Sequence, residues 1–302
     1  MRAARSFDFN AYLQLCRPLN AVMAALGMTI GYLLAFQPTQ MGIMRVGEWA
    51  FPLIQPFSEI FNLNFFLTLF SIIFIISGGQ AINDYFDRDV DAKQKKTRPI
   101  PSGKVSPENA LLFSMILFAA GNILALLVQS PTQLTFPIAI FFSFLFVIYS
   151  AFMQRLKFAG NVVVALGVGF TYLFGASAVQ LTPLVLAVSL APFFANWARE
   201  IIKDVEDKEM DRGNKLSLPL ITGQKNVEII TAVVLLAGVV AGYLPAIFFN
   251  AGTAYFVIVT LANTRFFRAW MQLQLNHPGE AASAMKHGML IALVAQLTLL
   301  LG

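Results

Sequence analysis

Apolar runs of about 20 residues alternate with short polar segments along the chain, at about 18–37, 63–83, 108–128, 134–153, 161–179, 182–202, 226–248, 251–270 and 286–301. A bilayer core of roughly 30 Å takes about 20 residues of helix to cross, and the runs lack the strict polar/apolar alternation of a barrel strand. Inside lipid, each backbone polar group must be paired within its own segment, so runs of this length predict helices. The expected fold class is therefore all-α, a polytopic membrane protein of about nine transmembrane helices. The first run follows a basic start but is longer than a signal-peptide core and has no clear small-x-small cleavage site, so it reads as a retained first helix.

The polar segments choose a side. With the amino terminus in the cytoplasm, twenty of the 21 Lys and Arg residues fall on inner segments and only Arg45 falls outside. That excess orients the chain by the positive-inside rule and predicts a multi-pass protein of the cell membrane with its amino terminus inside. The outer segment 38–62, with "VGEWAFPLIQPF", has the aromatic and proline content of an interfacial stretch and suggests no chemistry.

Two inner segments are acidic. "NDYFDRDVD" runs from Asn83 to Asp91 and "KDVEDKEMD" from Lys203 to Asp211, repeating the spacing D-x-x-D-x-x-x-D at Asp84, Asp87 and Asp91 and again at Asp204, Asp207 and Asp211. They are expected on cytoplasmic loops at the ends of the second and sixth helices. On a helix, positions 0, +3 and +7 share a face, so each triplet would aim three carboxylates one way. The repetition suggests an internal four-helix repeat within a single domain over residues 1–302.

Composition sharpens the contrast. The chain is 57% hydrophobic and 12% charged, yet nine of its 16 acids fall in these two windows; soluble proteins carry about 25% charged residues. A bland alternative is a pair of solvated acidic loops. Six facing carboxylates repel one another unless cations neutralise them, and magnesium takes one or two carboxylates and completes its shell with water and phosphate oxygens. Two such clusters across a cavity suit a diphosphate bridged by two or more Mg2+ ions. Lys93, Lys95, Lys96, Arg98, Lys104, Arg199, Lys203, Arg155, Lys157 and Arg17 supply cations nearby, for a departing diphosphate or for lipid headgroups and topology. Arg98 stands out because "RPIPSG" surrounds it with rigid turn residues. A polyprenyl diphosphate has a head that needs magnesium and a tail that needs lipid. Breaking its allylic C–O bond leaves a carbocation that an aromatic face can stabilise, for which Tyr149, at the inner end of its helix, is the candidate. The single cysteine, Cys16, excludes an internal disulfide, and His277 and His287 form no ligand pattern. Nothing suggests nucleic acid as a partner.

The paired motifs, with "RPIPSG" between them, resemble the UbiA superfamily of intramembrane prenyltransferases over roughly residues 17–225. The resemblance implies Mg2+-dependent transfer of a prenyl group from a prenyl diphosphate donor to a lipophilic acceptor. Asn83, Asp84, Asp87, Asp91, Asp204, Asp207 and Asp211 would surround metal and diphosphate. Arg98 and Lys157 would contact the diphosphate, with Arg155 an alternative to Lys157; Arg17, Lys203 and Tyr149 join them as substrate-binding candidates. "REIIKDVEDKEMD" and "RPIPSGKVSPENA" look most like archaeal members that act on geranylgeranylglyceryl phosphate, with an aromatic or quinone-precursor acceptor as the alternative. A CDP-alcohol phosphotransferase would need a D-G-x-x-A-R motif, which is absent. A phospholipid or ion transporter would place acids within the spans.

Overall fold

The computed structural model describes residues 8–40, 43–46, 49–52, 57–93, 97–153, 157–212 and 216–300. Helix α1 (Phe9–Cys16) starts where the Asp8 side chain accepts from the Ala11 N–H at 3.1 Å. It ends at Arg17, whose φ of 44° turns the chain before Pro18 opens α2 (Pro18–Gln40). A hairpin follows, β1 (Ile43–Val46) pairing antiparallel with β2 (Trp49–Pro52), and then the short α3 (Phe57–Ile60). The hairpin lies in the segment read as interfacial and is a departure from a purely helical expectation.

The long helices that follow are α4 (Leu63–Lys93), α5 (Pro107–Leu127), α6 (Thr135–Ile148), α7 (Lys157–Ser177) and α8 (Pro183–Glu206). A π-helical turn, Tyr149–Met153, continues α6. Two short helices, α9 (Lys208–Asp211) and α10 (Leu218–Thr222), lead into α11 (Gln224–Phe248), α12 (Thr253–Gln274) and α13 (Pro278–Thr298). Proline at the first helical position and a hydroxyl cap start α5 and α8: Ser106 accepts from Asn109 N–H and Thr182 from Val185 N–H.

Among the described residues, seven helices are long and apolar enough to cross a membrane: α2, α4, α5, α6 with its π turn, α7, α8 and α11. Helices α12 and α13 have similar lengths but interleave Asn263, Arg265, Arg268 and Gln272, or Glu280, Lys286 and His287, among their apolar residues. They fall short of the same standard, so seven of the nine expected spans meet it.

Helices α2, α4, α5, α6 and α7 share one apolar core around Met28, Tyr32, Ile75, Phe118 and Phe142. Helices α8, α11, α12 and α13 share another around Ile201, Val227, Phe266 and Met285. The seam between them is the packing of α2 and α7 onto α8 through Leu34, Tyr172 and Val188. There the α2 and α7 backbones touch: a Cβ on Gly31 would collide with the Tyr172 carbonyl, and one on Gly175 with the Met28 carbonyl. Helix α1 lies across the ends of α4 and α5, burying Ala11 and Leu15 against Ala81, Ile100 and Ala110.

Candidate active site

Helix α4 has 31 residues, where about 20 suffice to cross a bilayer, and its last turns carry the first acid motif. Asn83 to Asp91 are therefore helical, which corrects the expectation of a loop. The switch from apolar to acidic residues marks a change of surroundings, whereas the backbone hydrogen bonds of the helix run on past it. Asp84, Asp87 and Asp91 all turn inward, and Asp84 and Asp91 are each only 3% exposed.

Burial of these charges is balanced by two arginines. Arg17 Nη2 donates to Asp84 Oδ1 at 2.5 Å, from the break between α1 and α2. Arg98 Nη1 donates to the same Asp84 oxygen at 3.1 Å and to Asp91 Oδ2 at 2.6 Å. The "RPIPSG" turn fixes Arg98, since Ser102 N–H bonds to the Arg98 carbonyl at 3.0 Å and Val105 N–H to that of Pro99 at 3.1 Å. Asn83 Nδ2 donates to Asp87 Oδ2 at 3.2 Å. Arg17 and Arg98, singled out in the sequence as substrate contacts, thus stand on the aspartates themselves.

The second motif is not one straight helix. Asp204 lies in the last turn of α8, Asp207 is the joint where α8 stops, and Asp211 ends α9. Three carboxylates on one helical face hold for the first triplet only. Asp204 and Asp211 are nonetheless buried, and Asp207 is half-buried. Asn161 Nδ2, from the first turn of α7, donates to Asp204 Oδ2 at 2.8 Å, and both residues are buried. Lys203 points outward. Lys157 opens α7, but its side chain and the whole of Arg155 lie outside the described residues, as do Lys95 and Lys96.

Tyr149 joins the two motifs. It begins the π turn, a local irregularity that often marks functional sites. Its ring rests on Gly160, where a Cβ would come within 2.7 Å of Cε2. Its hydroxyl lies within electrostatic reach of Glu200, Asp87, Asp204 and Arg17, so α4, α8 and the break between α1 and α2 converge on it. Toward the opposite membrane face lies an apolar pocket lined by Ile72, Ile75, Ile138, Phe142, Phe146 and Phe170 among others. Phe146 borders it one turn from Tyr149 and packs on Gly79 of α4, whose added Cβ would stand 3.0 Å from the ring.

Magnesium is the ion to test against these residues. Among the described residues, no three Asp, Glu, His or Cys side chains form a ready metal cage. An ion that needs one or two carboxylates and leaves the rest of its shell to water and phosphate suits the buried Asp84/Asp91 and Asp204/Asp211 sets, all hard oxygen donors. The residues fit such an ion when it arrives with a phosphorylated ligand. Sequence reasoning missed Asn161 and Glu200. A lone amide entering an apolar run carries no spacing signal, and Glu200, four residues before Asp204, stood outside the repeated pattern.

A bundle of membrane-spanning helices with two buried acid motifs converging beside an apolar pocket defines an intramembrane prenyltransferase, and the sequence profile of the UbiA prenyltransferase family matches residues 46–294. The chain belongs to that family. It is 32% identical to the digeranylgeranylglyceryl phosphate synthase of Methanothrix thermoacetophila over 94% of this chain and 96% of that protein. A solved digeranylgeranylglyceryl phosphate synthase structure superposes with a TM-score of 0.76 at 27% identity, covering 97% of each chain. A UbiA homologue from Archaeoglobus fulgidus, solved bound to DMAPP and Mg2+, shares the fold with a TM-score of 0.60 at 17% identity, over 93% of this chain and 98% of that one.

Proposed function

We propose that the protein transfers a prenyl group from a prenyl diphosphate to geranylgeranylglyceryl phosphate, forming an ether, and that it does so with Mg2+. The convergence of the two acid motifs on Tyr149, with Arg17 and Arg98 seated on the first, carries this reading. The acceptor rests on the likeness to the named synthases along nearly the whole chain. The metal and donor class are supported by the donor set and by the A. fulgidus homologue's ligands.

In this reading Asp84, Asp87 and Asp91, with Asn83, hold one side of the metal–diphosphate head, and Asp204, Asp207 and Asp211 the other. Mg2+ held there would offset the negative charge of the diphosphate. Arg17 and Arg98 stand where added negative charge on the leaving group would be stabilised, with Lys157 as a further cation at the start of α7. The prenyl tail lies in the apolar pocket beyond Phe146, which keeps water from the allylic cation, and the Tyr149 ring faces that cation. Nine crossings, with the amino terminus and site toward the cytoplasm, follow from the distribution of Lys and Arg.

The test supplies purified protein with geranylgeranyl diphosphate and a panel of glyceryl-phosphate and aromatic acceptors, with products read by mass spectrometry. The expected product is the diether phosphate, formed only with a divalent cation, and Asp84→Asn and Asp204→Asn should each lower turnover by about a hundredfold or more. Activity that survives a chelator, or wild-type turnover in both variants, would sink the proposal. Products from aromatic acceptors alone would replace the acceptor.

A further inference from the structure

Helix α8 keeps polar groups deeper in the membrane than its acid motif. Glu200 lies one turn and Asn196 two turns before Asp204, and residues four apart share a helix face. That face is turned toward α7, because a Cβ on Gly169 of α7 would stand 3.0 Å from both Phe193 Cβ and the Ser189 carbonyl, the residues next along it. The Glu200 side chain is 15% exposed and its Oε1 accepts from Arg199 Nη1 at 2.5 Å. Asn196 is 5% exposed, and its Nδ2 donor has no hydrogen-bond partner among the described residues. The Glu200 carboxylate, like those of Asp87 and Asp204, lies within electrostatic reach of the Tyr149 hydroxyl. Unpaired buried donors and acids inside a membrane helix are costly, and such groups mark functional sites.

In the functional reading above, the carboxylates at the helix ends would hold the diphosphate and its ions. The Glu200 carboxylate, within reach of the Tyr149 hydroxyl, and the Asn196 amide donor one turn deeper on the same helix face meet the needs of a hydroxyl. We propose that Asn196 and Glu200 form the acceptor subsite, that its ligand is an aliphatic alcohol, and that Glu200 is the general base for its alkylation. This rests on the functional reading above and deepens it. Asn196 Nδ2 donates to the acceptor hydroxyl oxygen while that hydroxyl donates to Glu200 Oε2; Arg199 holds Oε1 and so orients the carboxylate. The allylic C–O bond breaks with its electron pair leaving on the diphosphate. A lone pair of the acceptor oxygen then forms the new C–O bond, and the hydroxyl proton passes to Glu200. No oxidant or further reactant is needed.

The experiment compares wild type, Glu200→Gln, Glu200→Asp and Asn196→Ala using geranylgeranyl diphosphate, Mg2+ and geranylgeranylglyceryl phosphate. Two quantities are read: ether formation, and the thermal stabilisation produced by Mg2+ with an unreactive prenyl thiodiphosphate, which reports donor binding alone. Glu200→Gln should lower ether formation about a hundredfold or more while keeping the donor-dependent stabilisation. Glu200→Asp should recover part of the loss, and Asn196→Ala should raise the acceptor KM about tenfold with less change in kcat. Wild-type ether formation by Glu200→Gln overturns the proposal. So does loss of donor stabilisation together with turnover, which would make Glu200 a structural residue. A wild-type enzyme that uses the donor but alkylates only aromatic carbon overturns the choice of acceptor and this subsite with it. One that uses no prenyl diphosphate at all overturns the functional reading itself.

Discussion

The hydrogen bond from Asn161 to Asp204 ties the first turn of α7 to the last turn of α8, and next to it Gly160 admits the Tyr149 ring. A buried carboxylate that loses a donor keeps its desolvation cost, typically about 1–3 kcal/mol. Asn161→Ala should therefore misplace Asp204 and raise the Mg2+ concentration for half-maximal activity several-fold. A magnesium titration beside a melting curve checks this, and an unchanged titration would show that the bond is only structural. The aspartates were legible in the sequence because charge is rare in so apolar a chain and their spacing repeats. Arg17 was legible as a cation, but its bond to Asp84 depends on the left-handed turn at Arg17, which the residue type does not announce. Asn161 was illegible, since one amide in an apolar run resembles any other.

At the scale of elements, the run lengths foretold most of the long helices to within a few residues, because burying a backbone in lipid leaves little choice; α13 starts at Pro278, well before its run at 286–301. They did not foretell where a helix outlasts its apolar stretch, as α4 does through Asp91, nor the stop at Asp207. Helix α1 was missed because eight residues of mixed character give no long run; its order comes from packing on α4 and α5. The contact of α2 with α7 is the least forgiving in the bundle. Gly31→Leu and Gly175→Val each force two backbones apart, and overpacking typically costs about 1–3 kcal/mol. Both should lower the melting temperature of the detergent-purified protein by several degrees or abolish its recovery. Gly279→Ala, whose Cβ would meet nothing nearer than Glu206 Oε1 at 3.9 Å, should not. Equal stability of all three would mean that α2 and α7 do not lie in contact.

For the molecule as a whole, the charge distribution sets the expected orientation, and cysteine labelling can read it. Cys16 is the only native thiol, half-buried in α1, and burial pushes its pKa up against a smaller opposing effect from Ser77. Because the thiolate is the reactive form, a raised pKa leaves less of it at neutral pH, and Cys16 labelling should grow only as the medium turns alkaline. A cysteine introduced in place of Lys95 should then react quickly at neutral pH from the cytoplasmic side. Reaction from the outside alone would invert the whole arrangement. The hinge at Arg17 has a practical corollary for anyone handling the protein. Because α1 docks on the bundle through the same turn that delivers a guanidinium to Asp84, a bulky fusion ahead of Phe9 pulls on a wall of the site. Near the other end of the chain, Gln296 of α13 is anchored to Tyr172, about 17 Å up α7 from Asn161 at 1.5 Å per residue, so affinity tags are better carried there.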